Sequence, residues 1–86
     1  MKIKNKAQCG SLESSDLMVF VEPADSLKIE IESSVKKQYG KSIERTVKEE
    51  LERAGVKSVY IKIQDAGALD PTIRARVSTA LKRGSK

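Results

Sequence analysis

The chain has 86 residues, 17 of them lysine or arginine against 12 acids, with no histidine and one cysteine, Cys9. That length holds one domain, 1–86, with a modest core and little room for a deep catalytic cleft. The lack of histidine excludes serine–histidine and cysteine–histidine nucleophile systems, and a lone cysteine excludes an intramolecular disulfide or a thiolate zinc site. A small binding, carrier or regulatory module is therefore expected, not a complete enzyme.

The net charge of +5 is concentrated at the two ends: residues 1–10 carry +3, residues 66–86 carry +4, and the body between them carries −2. Such ends suit nucleic acid, an acidic partner, a phosphate-rich ligand or plain solvent. The start, "MKIKNKAQCG", lacks the apolar stretch of an export signal. No run reaches the roughly 18 apolar residues of a membrane span. A cytoplasmic protein is expected.

In chain order, residues 1–15 read as a flexible lead-in, with Cys9 a small apolar residue within it. Its end, "GSLESSD" (10–16), places Ser11, Ser14 and Ser15 beside Glu13 and Asp16. The segment is either a polar approach to the first strand or an attachment point. "LMVFVEP" (17–23) is rich in β-branched and aromatic residues and ends at Pro23, a strand expected to be buried on both faces or nearly so. "PADS" (23–26) is turn chemistry. "LKIEIE" (27–32) alternates, with Leu27, Ile29 and Ile31 on one face and charges on the other. Two strands across a four-residue turn predict an antiparallel hairpin.

Ser33 and Ser34 are candidate N-caps of a helix whose stripe is Val35, Tyr39, Ile43, Val47 and Leu51, supported by Glu44–Lys48 and Glu49–Arg53 pairs. Gly40 costs about 1 kcal/mol there and marks a possible break; Gly55 is a stop. "VKSVYIKIQD" (56–65) is a third strand and "AGALD" a loop. Asp70 is read as the cap of a second helix with Pro71 at its start and Ile73, Val77, Ala80 and Leu81 on its apolar face; Gly84 falls just past its end. The order β-β-α-β-α predicts an α+β fold, a two-layer α/β sandwich: a small mixed three-stranded sheet with two helices on one face. The second and third strands are expected to be joined by a right-handed crossover if they are neighbours.

Three functions compete. RNA binding fits the basic ends, but Phe20, Tyr39 and Tyr60 are the only aromatics, Phe20 and Tyr39 fall where core residues fall, and no stacking motif is present. "ADSL" (24–27) holds the Asp-Ser-Leu of fatty-acid-type carriers, but Ser26 opens a strand, not a helix, so it reads as a turn. The third reading rests on three ordered segments, "AQCGSLESSD", "IESSVKKQYG" and "DAGALDPTIRAR". Together, over roughly residues 1 to 83, they resemble the citrate lyase acyl carrier protein (gamma subunit) family.

That resemblance implies a non-catalytic subunit. It implies that Ser14 carries phosphoribosyl dephospho-CoA through a phosphodiester, and that the thiol of this arm holds acetyl as a thioester. An alpha subunit (acyl transferase) then exchanges acetyl for citrate, and a beta subunit (lyase) releases oxaloacetate. A prosthetic-group transferase and an acetate ligase are the further partners implied; no membrane or nucleic acid is. Ser15 has the same chemistry as Ser14, but the match places Ser14 directly after "LE". Glu13 and Asp16 are read as recognition elements or as plain solvated or turn residues, Leu12 as an anchor of the loop to the core, and Gly10 as a tight bend. Lys2, Lys4, Lys6, Arg74 and Arg76 are expected near a phosphate arm or an acidic partner face. Citrate and citramalate are not separated by this chain.

Overall fold

The computed structural model describes residues 1–34 and 36–86. Six elements follow one another: β1 (Ala7–Gly10), β2 (Leu17–Glu22), β3 (Leu27–Ser33), α1 (Lys36–Ala54), β4 (Val59–Asp65) and α2 (Asp70–Gly84). The strands form one sheet in the order β1-β2-β4-β3, in which β4 runs antiparallel to β2 and parallel to β3. The α+β class and the mixed sheet match the sequence reading, and the sheet has four strands, not three.

Two expectations about the sheet fail for identifiable reasons. The predicted hairpin between β2 and β3 does not form, because β4 lies between them. Crossing one intervening strand means spanning two strand spacings, about 10 Å. Four residues reach about 13 Å when extended, so residues 23–26 serve either arrangement. Burial decides it. Val59, Ile61 and Ile63 of β4 are fully buried, while β3 exposes Lys28, Glu30 and Glu32 and takes an edge, where charged side chains discourage further pairing. β3 and β4 are neighbours and parallel, joined through α1, as a crossover requires.

The extra strand, β1, pairs Ala7 with Val21 through Gly10 with Met18. "AQCG" has no β-branched residue to announce it. It is held by β2, by Cys9 buried in the core, and by Arg83 Nη1, which donates to the Gln8 carbonyl at 2.9 Å. Ile3 is also buried, and the Lys4 and Asn5 amides donate to the Gly84 carbonyl. Gly84 is thus a buried part of α2 and not beyond its end. A Cβ there would lie 3.0 Å from Val21 and 3.1 Å from the Asn5 carbonyl, so its bareness lets the N-terminal segment pass.

Both helices cover one sheet face. Leu17, Val19, Val21, Ile61 and Ile63 meet Ile43, Val47 and Leu51 of α1 and Ile73, Val77, Ala80 and Leu81 of α2. β2 is therefore buried on one face only. Met18 and Phe20 are half-buried on the open face, beside Lys62, Gln64 and a Tyr60–Glu30 hydrogen bond that pushes the Tyr60 phenol up to about 12. Phe20 is thus outside the core, and so is Tyr39, which is 56% exposed. Val35 lies outside the described residues. α1 runs unbroken through Gly40. Ser33, expected as a cap, is instead the last residue of β3.

The helices are tied to each other by a polar seam. Thr46 Oγ1 donates to Asp70 Oδ1 at 2.6 Å. Arg74 reaches Asp70 at 2.9 Å, Glu50 at 3.1 Å and Glu49 at 2.7 Å. Thr46 and Glu50, one turn apart on α1, face Asp70 and Arg74, one turn apart on α2. Glu50 is buried, and Arg74 satisfies it. The expected Glu44–Lys48 pair forms at 4.0 Å, whereas Glu49 turns to Arg74 and Arg53 lies nearest Glu50. Asp70 is not a cap: the N-cap position is Leu69 and has no side-chain cap bond. The Thr46 hydroxyl and the Arg74 guanidinium hold the Asp70 carboxyl below its usual range. Among the described residues, no helix is long and apolar enough to cross a membrane.

Candidate functional site

The segment "SLESSD" is the loop between β1 and β2. At its base the Ser11 amide donates to the Leu17 carbonyl at 3.1 Å. Gly10 adopts φ +115°, and a Cβ on it would lie 1.9 Å from the Leu17 oxygen. Only glycine fits, so the tight bend expected there is present. At the tip, the Asp16 amide donates to the Glu13 carbonyl, closing a β-turn with Ser14 and Ser15 at its corners. Ser15, the second corner, has φ +65°, the left-handed conformation that type II and type I′ turns place there.

The same residue starts a β-bulge. The Ser15 amide donates to the Ala66 carbonyl at 2.8 Å and the Ala66 amide to the Asp16 carbonyl at 2.9 Å, so Ser15 and Asp16 together oppose Ala66. Glycine usually holds the first position of a bulge of this kind. Ser15→Gly removes a left-handed cost of about 1–2 kcal/mol and adds chain entropy worth about 0.5–1 kcal/mol to the unfolded state. A net stabilisation between zero and about 1.5 kcal/mol is expected, read by urea denaturation.

Asp16 is the hub of the loop. Its Oδ2 accepts from Ser11 Oγ at 2.6 Å, and its Oδ1 accepts from the Leu17 amide at 2.8 Å. Arg76 of α2 closes on both oxygens, Nε at 3.1 Å and Nη2 at 2.9 Å, a bidentate fork. These bonds, Arg76 first, hold the Asp16 carboxyl down at about 2. Of the two readings open for Asp16, the structure gives it a structural task. Ser11 Oγ also accepts from the Glu13 amide at 3.3 Å.

Beneath the adjoining loop, buried Asp65 accepts from Ser33 Oγ at 2.7 Å and from the amides of Gly67 and Ala68. Leu17, Asp65 and Ser33 lie in register at one end of the sheet, so the 11–16 and 66–69 loops share that end.

Above this braced base, Leu12, Glu13, Ser14 and Ser15 are exposed. Leu12 does not anchor the loop to the core; it is 66% exposed. Among the described residues the Ser14 and Ser15 hydroxyls have no hydrogen-bond partner, so both are open to reagents, and geometry alone does not choose between them. Arg74 and Arg76 spend their charge on carboxylates of their own chain, and Lys6 lies 3.2 Å from Glu22. Lys2 and Lys4 are exposed. Sequence reasoning missed the Ser11–Asp16 bond, the role of Asp65 and the Asp16–Arg76 fork. That fork joins residues 60 apart, and no local pattern reports it.

Comparison with known proteins gives the family. The family model described as malonate decarboxylase delta subunit (MdcD), an acyl carrier protein, matches residues 4–84. The citrate lyase acyl carrier protein of Halothermothrix orenii is 49% identical over 100% of this chain and 93% of its own length. That of Haemophilus influenzae (strain PittEE) is 51% identical over 99% of this chain and 90% of its own. The chain belongs to the citrate lyase acyl carrier protein family. As a member of the family it is a carrier and not a catalyst. A chain in the crystal structure of a Pseudomonas malonate decarboxylase hetero-tetramer in complex with malonate superposes with a TM-score of 0.77 at 26% identity, covering 93% of this carrier and 84% of that chain.

Proposed function

We propose that this protein is the acyl carrier subunit of citrate lyase. In this reading Ser14 is joined by a phosphodiester to phosphoribosyl dephospho-CoA, and the partners are the cytoplasmic alpha (acyl transferase) and beta (lyase) subunits. The observation that carries the reading is the contrast within one loop. Ser14 stands exposed at a turn tip with no hydrogen-bond partner among the described residues, over a base fixed by Gly10, the Ser15 bulge and the Asp16–Arg76 fork. An arm on an exposed turn meets no wall, so the site fits a large covalent group. When bound, that group supplies a thiol for acyl attachment.

The chain's own residues do three things. Ser14 Oγ offers the attachment oxygen. Gly10 and the bulge set the direction of the turn. The Arg76 fork keeps the loop against α2, so the anchoring point of the arm is fixed and only the arm need move. A fixed anchor raises the effective concentration of the arm at partner sites within its reach.

Citrate is favoured over malonate by the 49–51% identity to citrate lyase carriers against 26% to the malonate decarboxylase chain. Reconstitution tests both. The loaded chain, added to citrate lyase alpha and beta subunits stripped of their own carrier, is expected to restore oxaloacetate formation from citrate. Restoration of malonate decarboxylation instead would replace the substrate class, and restoration of neither would overturn the carrier assignment to these complexes.

A further inference from the structure

Leu12 and Leu69 are the two most exposed large apolar side chains described, at 66% and 73%. Neither supports the core. Leu12 lies two residues before Ser14. Leu69 ends the 66–69 loop, whose first residue, Ala66, is hydrogen-bonded to Ser15 and Asp16. Both loops are braced from below, one by Asp16 and the other by Asp65, so the two leucines are held out by rigid backbone. Of the other exposed large apolar residues, Leu27 starts β3 at the far end of the sheet.

Single exposed leucines are ordinary on a protein surface, but these two stand on loops joined by the Ser15–Ala66 and Ala66–Asp16 hydrogen bonds, next to Ser14. Any enzyme that forms a bond to Ser14 Oγ must approach within bonding distance of it and so cover the residue two places away. We infer that Leu12 and Leu69 form a two-point apolar grip by which the enzyme that loads Ser14 seats this carrier. The occupant is a protein with apolar recesses for the two leucines beside the channel that admits the serine. Recognition by apolar contact on a rigid frame gives the loading enzyme a surface to read that does not depend on the arm it delivers.

The inference rests on the attachment reading above, and its test separates the two. Loading of the full chain by the citrate lyase prosthetic-group transferase and its arm donor is followed by intact mass over a range of carrier concentrations. Leu12→Ser and Leu69→Ser are each expected to raise KM about fivefold to tenfold, and the double variant more, with kcat little changed. Leu12→Ser is expected to leave the thermal midpoint in place and Leu69→Ser, which gives α2 the capping hydroxyl it lacks, to hold or raise it, so unfolding accounts for neither loss, and Leu27→Ser is expected to load like the parent. Failure of the parent chain to load, or loading of Ser14→Ala, would count against the attachment reading. Normal loading of the parent with an unchanged KM in the double variant would overturn the grip alone. A double variant whose only change is a loss of self-association would equally overturn it, by assigning the patch to a second copy.

Discussion

Gly10→Ala is expected to be the most damaging single substitution in the loop, lowering stability by about 3 kcal/mol or more. Its Cβ would lie 1.9 Å from the Leu17 carbonyl oxygen, and no rotamer change can relieve a collision of Cβ with backbone. The φ of +115° adds strain for any L side chain. Relief requires opening the Ser11–Leu17 bond and the last β1–β2 pair, Gly10 with Met18. In a domain of this length, with about 4–13 kcal/mol in all, that loss is large. At roughly 4–8 °C per kcal/mol the melting midpoint should fall by more than about 10 °C. A fall of under about 3 °C would mean that the loop base is not as described.

The second large effect concerns loading. Arg76→Ala removes the fork that ties the serine loop to α2 and leaves Asp16 only Ser11 and the Leu17 amide. The loop then samples more orientations, and loading at Ser14 is expected to slow about tenfold or more. Arg76→Lys restores charge but not the two-pronged geometry and should recover only part of the rate.

A pH readout separates this from a general folding defect. The folded Asp16 carboxyl sits at about 2 against an ordinary 3.8. Depressed in the fold, it contributes stability that is present in full above the ordinary value and is lost as pH falls through about 2. The decline in stability between pH 4 and pH 2 should therefore be shallower in Arg76→Ala than in the parent, measured by denaturant midpoints across that range. Identical slopes would show that the fork does not set the Asp16 carboxyl.

Local patterns made five of the six elements legible. β2 carries an apolar, β-branched run, β3 and β4 an alternation, and α1 and α2 helical stripes strong enough to read, and the helix between β3 and β4 made a crossover legible on the condition that they are neighbours. What stayed hidden was relational. β1 draws its strand character from its neighbour β2 and not from "AQCG". The order of β4 and β3 depends on which strand buries more, a property of the assembled sheet. Tyr39 fits the spacing of the α1 stripe yet points to water, because a stripe stepping by four winds around the helix. Asp70 has the chemistry of a cap, but Thr46 and Arg74 claim it once α1 and α2 meet. At the site, the three matched segments pointed to Ser14, and Gly10 was legible as a bend. The Asp16–Arg76 fork, the Ala66 pairing of Ser15 and the exposure of Leu12 depend on chain segments brought together only by the fold.

The central claim is that Ser14 carries the prosthetic group. It is tested most directly by intact mass after co-expression with the citrate lyase accessory proteins that make and attach the arm, comparing the parent with Ser14→Ala, Ser15→Ala and Ser15→Gly. A mass gain equal to one phosphoribosyl dephospho-CoA adduct in the parent and both Ser15 variants, absent in Ser14→Ala, is the predicted result. A gain that survives in Ser14→Ala, or none in a parent chain treated with accessory proteins active on another carrier, would contradict it.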